Sequence, residues 1–412
     1  MFEKLNDDCR LKILEYVEDL KDQLALRRIS QSLHSIVQYH WHRLKKATLS
    51  TDVADYFKRY PNEMHEFLKC ASESLQSLVL CRGSVELLQS WTSYAFPKLI
   101  SLNCLMSFND TDSDEATLLM TQLFPQLIKL KLESDTTGQH LWCWNHLQEL
   151  HLYCCESLDP LILQRSFSSL PLRKLTILFY GYCANFDDDI LPASRIATLE
   201  ELVIDDHHLL GEFLPNLLQL PKFRRLAFYT RDYDEYLLQT VAKLRPLGVQ
   251  SLLFNDALWS NSSVCDTIMR LPNLRRLTLQ DDDIESKQLH YLCDQLKNLD
   301  ELHLIKMRAL PTATQIWNLV EASTSLKILN LSSSKLEEQF ADLSADCINR
   351  VLVKRSPENP LTLHVHNTLL DRNHSKTLSI LNHPNLKISF EPLNLNVWSS
   401  RFIEIEFNPS MD

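Results

Sequence analysis

A six-residue pattern, apolar-x-x-Leu-x-apolar, recurs eleven times along this 412-residue chain. The first copy starts at Leu75 and the last at Leu326, at intervals of 20 to 28 residues with a mean of about 25. The fourth and sixth positions of each copy are apolar with one residue between them, which predicts a short strand with one buried face. Repetition at this period predicts a stack of identical small units rather than two or three separate globular domains.

Between the hexamers the apolar residues change to helical spacing. Leu289, Leu292, Cys293 and Leu296 follow each other at i, i+3, i+4 and i+7, which places them on one face of a helix. Each unit therefore comprises one strand and one helix. Neither element buries its apolar face alone, so stability requires stacking.

At this point the chain resembles the leucine-rich-repeat family. The resemblance covers residues 73–390, with about 11 clear repeats and up to 13 if LTLHV from Leu361 and LKISF from Leu386 are degenerate copies. It implies an α/β solenoid, curved, with parallel strands on the concave face and helices on the convex face. The asparagine or cysteine that the family places three residues after the hexamer occurs only as Cys155, so the turn amides need other partners.

The first 45 residues lack the repeat and predict two or three short helices. Leu11, Leu14 and Val17 form one apolar stripe, and a second stripe runs from Leu26 to Val37 at helical spacing. Asn6 or Asp7 is expected to cap the first helix and Asp22 the second. A bundle this small buries little apolar surface, so we expect it to pack on the repeats or on another protein.

This N-terminal segment resembles an F-box. Asn6 stands where proline is usual and Leu33 where tryptophan is frequent, but the other positions follow the family's pattern. The matching positions are Leu5, Leu11, Ile13, Leu14, Tyr16, Val17, Asp22, Leu24, Leu26, Arg28, Ile29 and Ser30.

The two resemblances together imply a substrate-recognition subunit of a cullin–RING ubiquitin ligase. The F-box would bind a Skp-type adaptor protein, the repeats would bind an unidentified protein substrate, and the chain itself would not be an enzyme. The alternatives are a plain helical cap for the first segment and, for the whole chain, a repeat scaffold unconnected to ubiquitin or an enzyme that uses a thiol or zinc. The implied boundaries are an F-box at 1–45, a helical linker or cap at 46–72, repeats at 73–390 and a capping strand or tail at 391–412. Residues expected to contact the adaptor, some of them shared with the bundle core, are Leu5, Leu11, Ile13, Leu14, Val17, Leu24 and Ile29.

The third and fifth positions of each hexamer, and the residue after the sixth, project from the strand face opposite the core. Stacked repeats align these positions into one surface, where a substrate would bind. Tyrosine and arginine are frequent binding hot spots, although any one of these residues is also compatible with an ordinary solvated strand. The candidates on this surface are Tyr153, Tyr229, Arg276, Gln280 and His303.

The segment Arg401–Phe407 alternates Phe402, Glu404 and Glu406 with Ile403, Ile405 and Phe407. This alternation predicts a half-buried strand. We expect it to close the last repeat; the alternative is a tail that folds back to help hold a partner.

Composition excludes several other functions. The five glycines are scattered singly, so no phosphate-binding loop can be written. A net charge of −11 disfavours nucleic acid as a partner. His140, Cys143 and His146, with His151, Cys154 and Cys155 close behind, have zinc-ligand chemistry. The repeat register places Cys154 and Cys155 at the junction of strand and turn, where small buried thiols are normal, so no metal or other cofactor is expected. With no secretory signal, no membrane span and an odd number of cysteines, we expect a cytoplasmic or nuclear protein with reduced thiols.

Overall fold

The computed structural model describes residues 5–106, 113–155, 157–178, 197–205, 207–229, 235–256, 262–281, 285–307, 310–356, 358–372, 374–393, 395 and 401–408. The chain divides into two compact units, an N-terminal unit, Met1–Leu199, and a C-terminal unit, Glu200–Asp412. The outermost residues of the predicted F-box and tail, 1–4 and 409–412, lie outside the described residues.

The N-terminal unit starts with a bundle of three short helices. Polar side chains preceding each helix accept a hydrogen bond from a backbone N–H of its first turn, as helix caps do. Asn6 caps the first helix as predicted, whereas the second is capped by Asp19 and not by Asp22, which lies inside it. The helices are α1 (Asp7–Leu14), α2 (Leu20–Arg27) and α3 (Gln31–Trp41).

The described part of the N-terminal unit continues with parallel strands that alternate with helices. Each strand pairs with the next along the chain. The elements are β1 (Lys46–Leu49), α4 (Thr51–Arg59), α5 (Pro61–Ala71), β2 (Ser77–Gly83), α6 (Val85–Ser90), β3 (Ser101–Met106), α7 (Ser113–Leu123), β4 (Lys129–Glu133), a 3-10 turn at Leu141–Cys143, β5 (Glu149–Tyr153), α8 (Pro160–Ser169) and β6 (Lys174–Leu178).

The segment 46–72 is not the purely helical linker expected from the sequence. It begins with β1, which pairs with β2 in the same register that joins later repeats. Residues Leu44–Leu49 carry a copy of the hexamer in which Ala47 replaces the central leucine. The repeats therefore begin about 30 residues earlier than predicted.

The C-terminal unit repeats the same alternation of strand and helix. Strands β7 and β8 form a parallel pair, and β9 to β14 form a parallel series. Both degenerate copies, at Leu361 and Leu386, are strands. The elements are β7 (Glu201–Ile204), α9 (His207–Leu217), β8 (Arg225–Tyr229), α10 (Glu235–Leu244), β9 (Val249–Asn255), α11 (Ser262–Ile268), β10 (Arg276–Gln280), α12 (Ser286–Gln295), β11 (Glu301–Ile305), α13 (Ala313–Ala322), β12 (Ile328–Asn330), α14 (Phe340–Leu352), β13 (Leu361–His364), α15 (Leu369–Arg372), α16 (His374–Ile380) and β14 (Leu386–Ser389).

All eleven predicted hexamers contain a strand, which starts at the third position of the hexamer or, in β9, at the first. The fourth and sixth positions point into the core, as Leu130 and Leu132 of β4 show by being fully buried. The leucine-rich-repeat type of architecture, with one parallel strand per repeat and helices between most strands, is thus confirmed within each unit.

The last strand, β15 (Phe402–Phe407), is where its alternation predicts a strand, but it does not close the last repeat. It lies between β8 and β9 and is antiparallel to both. The expectation of a capping strand next to β14 is therefore wrong. Ile403, Ile405 and Phe407 enter the core, so burial of this apolar face holds β15 in the interior of the sheet.

Non-glycine residues adopt left-handed backbone conformation just after several strands. The position is the same each time, two residues beyond the hexamer, and it includes Asp256, Asp281 and Lys306 with φ of 49°, 52° and 52°. Their N–H groups donate to carbonyl oxygens of the following repeat, those of Gln280, Ile305 and Ser332. These bonds supply turn amides with the partners that the missing asparagine ladder would have provided.

Candidate interaction surfaces

The N-terminal bundle divides the predicted adaptor residues into two groups. Leu14 and Leu24 are buried in the bundle core, so they cannot contact a partner without unfolding it. Ile13 and Ile29 are 41% and 67% exposed, and Leu5 is exposed as well. Leu11 and Val17 are partly exposed. Only the exposed and partly exposed side chains remain candidates for binding.

Tyr16 joins the exposed set, with 79% of its surface accessible. Tyr16 lies just after α1, but its residue type does not indicate whether its side chain faces outward. A helix of eight residues has too few turns for a periodic pattern to separate core from surface.

The bundle is attached to the first repeat through Arg27. The Arg27 guanidinium donates to Glu63 on α5 at 2.8 Å, forms an ion pair with Glu66, and lies 5.2 Å from the ring centre of Trp41. Trp41 in turn packs edge-on against Phe67 of α5. Buried charge pairing and aromatic packing therefore join the bundle to the repeat array within this unit.

A polar cluster occupies the strand face, opposite the helices, on β4 to β6. Lys129 and Lys174 flank Glu149 at 3.1 and 3.7 Å, and Lys131 lies 4.5 Å from the ring centre of Tyr153. Tyr153 is thus half-buried beside a cation, as suits a binding residue.

His151 lies in the same cluster. Its Nδ1 is 2.9 Å from Thr176 Oγ1. Burial, reinforced by Lys129, lowers the pKa of His151 to about 4. The imidazole is therefore neutral at pH 7.

The other four predicted substrate residues lie in the C-terminal unit, and internal partners already engage them. Tyr229 packs edge-on against Phe402 of β15, with ring centres 5.7 Å apart. Gln280 and His303 are each only 1% exposed. Tyr229 and Arg276 are half-buried.

Arg276 belongs to a hydrogen-bonded series across β10 to β12. Its Nε donates to Glu301 at 2.6 Å, His303 Nε2 lies 3.2 Å from the same carboxylate, and His303 Nδ1 lies 3.3 Å from Asn330. The bonds from His303 and Arg276 lower the pKa of Glu301 to about 2. Arg276, Glu301 and His303 are thus engaged with one another, whereas Oε1 of the buried Gln280 on the same face has no hydrogen-bond partner among the described residues.

Strand β15 brings its own polar contacts to this face. Glu404 accepts two hydrogen bonds from Arg225, and Glu406 lies 3.8 Å from Arg276. Arg401, just before the strand, donates to Asp256 at 3.1 Å. Sequence reasoning identified the strand but missed these partners, because nothing local connects residues 130 to 179 positions apart.

Neither metal chemistry nor a membrane span is indicated in the described part of the chain. No group of three or more potential metal ligands occurs among those residues, and none of the helices found there is long and apolar enough to cross a bilayer. No cysteine that the structure describes forms a disulfide.

Comparisons with known proteins give matches among solved structures but not among family models or curated proteins. No protein-family model matches the sequence, and the search of curated proteins finds no match. Among solved structures, the chain is similar to a leucine-rich-repeat protein from Leptospira interrogans at 15% identity, covering 86% of this chain and 98% of that one with a TM-score of 0.36.

Proposed function

We propose that this chain is a protein-binding repeat scaffold that acts as the substrate-recognition subunit of a cullin–RING ubiquitin ligase. The N-terminal bundle docks a Skp-type adaptor, and the repeats bind the protein to be ubiquitinated. The chain catalyses nothing in this role. It raises the concentration of the substrate near the ubiquitin-charged enzyme, as tethering does. Such a role belongs in the cytoplasm or nucleus, in keeping with the lack of disulfides among the cysteines that the structure describes.

The observation that carries the proposal is the exposed apolar set on the bundle: Leu5, Ile13, Tyr16 and Ile29. Exposed apolar side chains on a small helical module are typical of a docking surface. The bundle's own core is already supplied by Leu14, Leu24 and residues of α3, so the exposed set is not needed for folding. Attachment through Arg27 to α5 would hold adaptor and repeats in a defined relation within this unit.

The test is capture of a purified Skp-type adaptor by the full chain. Replacing exposed side chains, Ile13→Asp with Ile29→Asp, should weaken binding about 100-fold or more, because two apolar contacts become buried carboxylates. Val353→Asp is the matched control, since Val353 is also an exposed apolar residue but lies in the C-terminal unit. Circular dichroism of each variant verifies folding.

Unchanged adaptor binding by the double variant would contradict the assigned surface. If the wild-type chain does not bind the adaptor at all, the bundle is a helical cap. The alternative of a scaffold unrelated to ubiquitin then replaces the proposal. That alternative draws its support from the same contacts between Arg27 and α5, which a cap would also make.

A further inference from the structure

Strand β15 is foreign to the repeat pattern of the C-terminal unit. The strand pairs of this unit that the structure describes are parallel, except the two that β15 makes with β8 and β9. On the opposite face α10 packs against both α9 and α11, so the series of helices continues across the insertion. The insertion therefore separates two consecutive repeats at their strands and leaves their helices packed.

The register of β8 and β9 is unchanged by the insertion. Glu406 lies opposite both Arg225 of β8 and Ser251 of β9. Arg225 and Ser251 occupy the third position of their hexamers, which is also the level at which Ser251 pairs with Arg276 in β10. Without β15, the two strands could pair directly in the register used by their neighbours. The space between them, here called the β8–β9 slot, can thus be open or closed without a change in the register of either strand.

The length of the connection is compatible with the antiparallel direction that the strand pairing shows. From Ser389, where β14 ends, to Phe402 is thirteen residues, which span at most about 43 Å at roughly 3.3 Å per residue. Six strand spacings separate β14 from β15, about 29 Å. Ser389 and Phe402 both lie at the edge of the sheet where the parallel strands end, so the connection has to cross the strands but not run along them.

The slot recognises β15 through side chains as well as backbone. Ile403 and Ile405 fill its core side, while Phe402 and Phe407 pack on Tyr229 and Phe223 at its two ends. On the strand face, Arg225 holds Glu404 and Arg276 approaches Glu406. The slot therefore recognises a strand in which apolar and acidic residues alternate. Strand addition supplies affinity through main-chain hydrogen bonds, whereas side chains such as these supply specificity.

We propose that the β8–β9 slot is a peptide-binding site that β15 fills in cis and that an extended segment of a partner protein, with alternating apolar and acidic residues, fills in its place. This inference deepens the proposed role of the repeats and rests on it only for the source of the segment. Binding in the slot does not involve the N-terminal bundle. Arg225 is the principal specificity residue, since its guanidinium faces the acidic position nearest the centre of the strand.

The probe for the test is a fluorescent peptide with the sequence of residues 400–408, SRFIEIEFN. It is titrated into the intact wild-type chain and into the variant Glu404→Lys, whose own strand is weakened. The peptide should bind the variant about 10-fold or more tighter than the wild type, because the cis competitor is impaired. A peptide carrying lysine at the position of Glu404 should bind the variant at least about 10-fold more weakly than the authentic peptide does. A peptide carrying lysine at the position of Glu406 should lose less affinity.

The proposal is overturned if Glu404→Lys binds the authentic peptide and a scrambled peptide equally well. It is also overturned if folded Glu404→Lys does not bind the authentic peptide at all. If Glu404→Lys does not fold, the wild-type chain with a protease site inserted within residues 396–400 replaces it. After cleavage, excess labelled peptide should displace the C-terminal fragment, as measured by mass spectrometry. Retention of that fragment contradicts the inference. Adaptor capture by the same proteins is unaffected in either outcome, so the two proposals fail separately.

Discussion

Glu404 and Arg225, 179 positions apart in the chain, form a two-point ion pair across the junction of β15 and β8. The guanidinium donates from Nε at 2.8 Å and from Nη2 at 3.2 Å to the two carboxylate oxygens. Glu404 is only 4% exposed, and Arg225 also approaches Glu201 at 3.4 Å. Paired, nearly buried charges of this geometry are strong when intact and costly when one partner is removed.

Glu404→Gln should therefore destabilise the C-terminal unit by about 2 kcal/mol, since Arg225 loses its buried counter-ion while retaining Glu201. Glu406→Gln is the control: its carboxylate is more exposed and lies 3.8 Å from Arg276, so its loss should cost less than about 0.5 kcal/mol. Urea unfolding midpoints under identical conditions measure the difference. Equal midpoints for the two variants would show that the ion pair does not hold β15.

His151 makes the stability of the N-terminal unit depend on pH. Its folded-state pKa of about 4 lies below the ordinary value near 6.5, so the unfolded chain binds its proton first. The stability from the neutral imidazole is therefore fully present above about pH 6.5 and is lost as pH falls toward 4. His151→Gln should flatten this loss, which thermal melts between pH 7 and 4 will show. NMR titration of His151 provides a direct check, and a midpoint near 6.5 would contradict the assignment.

Replacing Lys306 by glycine should stabilise the folded protein, although glycine usually destabilises it. At φ 52° a side chain is strained by about 1 kcal/mol, and glycine is not. Its ion pair with Asp281, 3.7 Å on the surface, is worth little. After the entropy cost of glycine in the unfolded chain, Lys306→Gly should gain up to about 0.5 kcal/mol.

The matched control for Lys306 is Lys287→Gly, in the first turn of helix α12, which should lose about 0.5 kcal/mol. Chemical denaturation of both variants compares them directly. A loss at Lys306 as large as that at Lys287 would mean that the left-handed turn carries no strain that glycine relieves.

The repeats could be predicted from the sequence because their signal is local. The eleven hexamers predict the positions of eleven strands, since the apolar fourth and sixth residues of each hexamer must face the core. The twelfth, at Leu44–Leu49, was missed because Ala47 replaces leucine and 31 residues separate it from the copy at Leu75. A weaker apolar side chain and an irregular interval conceal a strand that its neighbour β2 nevertheless pairs with.

The interaction surfaces were less predictable for a physical reason. Whether Ile13 or Leu14 faces outward depends on how three short helices pack against one another. Because both are aliphatic and adjacent in the same short helix, the sequence pattern does not tell which of them is buried. The alternation in Phe402–Phe407 predicts a strand, but the partners of a strand are decided by long-range contacts. The sequence predicts that Tyr229 and Arg276 meet a substrate, but it does not predict that both contact β15.

The left-handed turns couple neighbouring repeats during folding. A residue such as Asp281 is strained in its own repeat, and the N–H that this strained conformation directs outward is satisfied only when Ile305 of the next repeat is in place. The backbone strain is thus intrinsic to one repeat, whereas the hydrogen bond that offsets it belongs to the interface with the next repeat. In a linear array this arrangement disfavours partly folded intermediates and favours folding that spreads from repeat to repeat as one cooperative event.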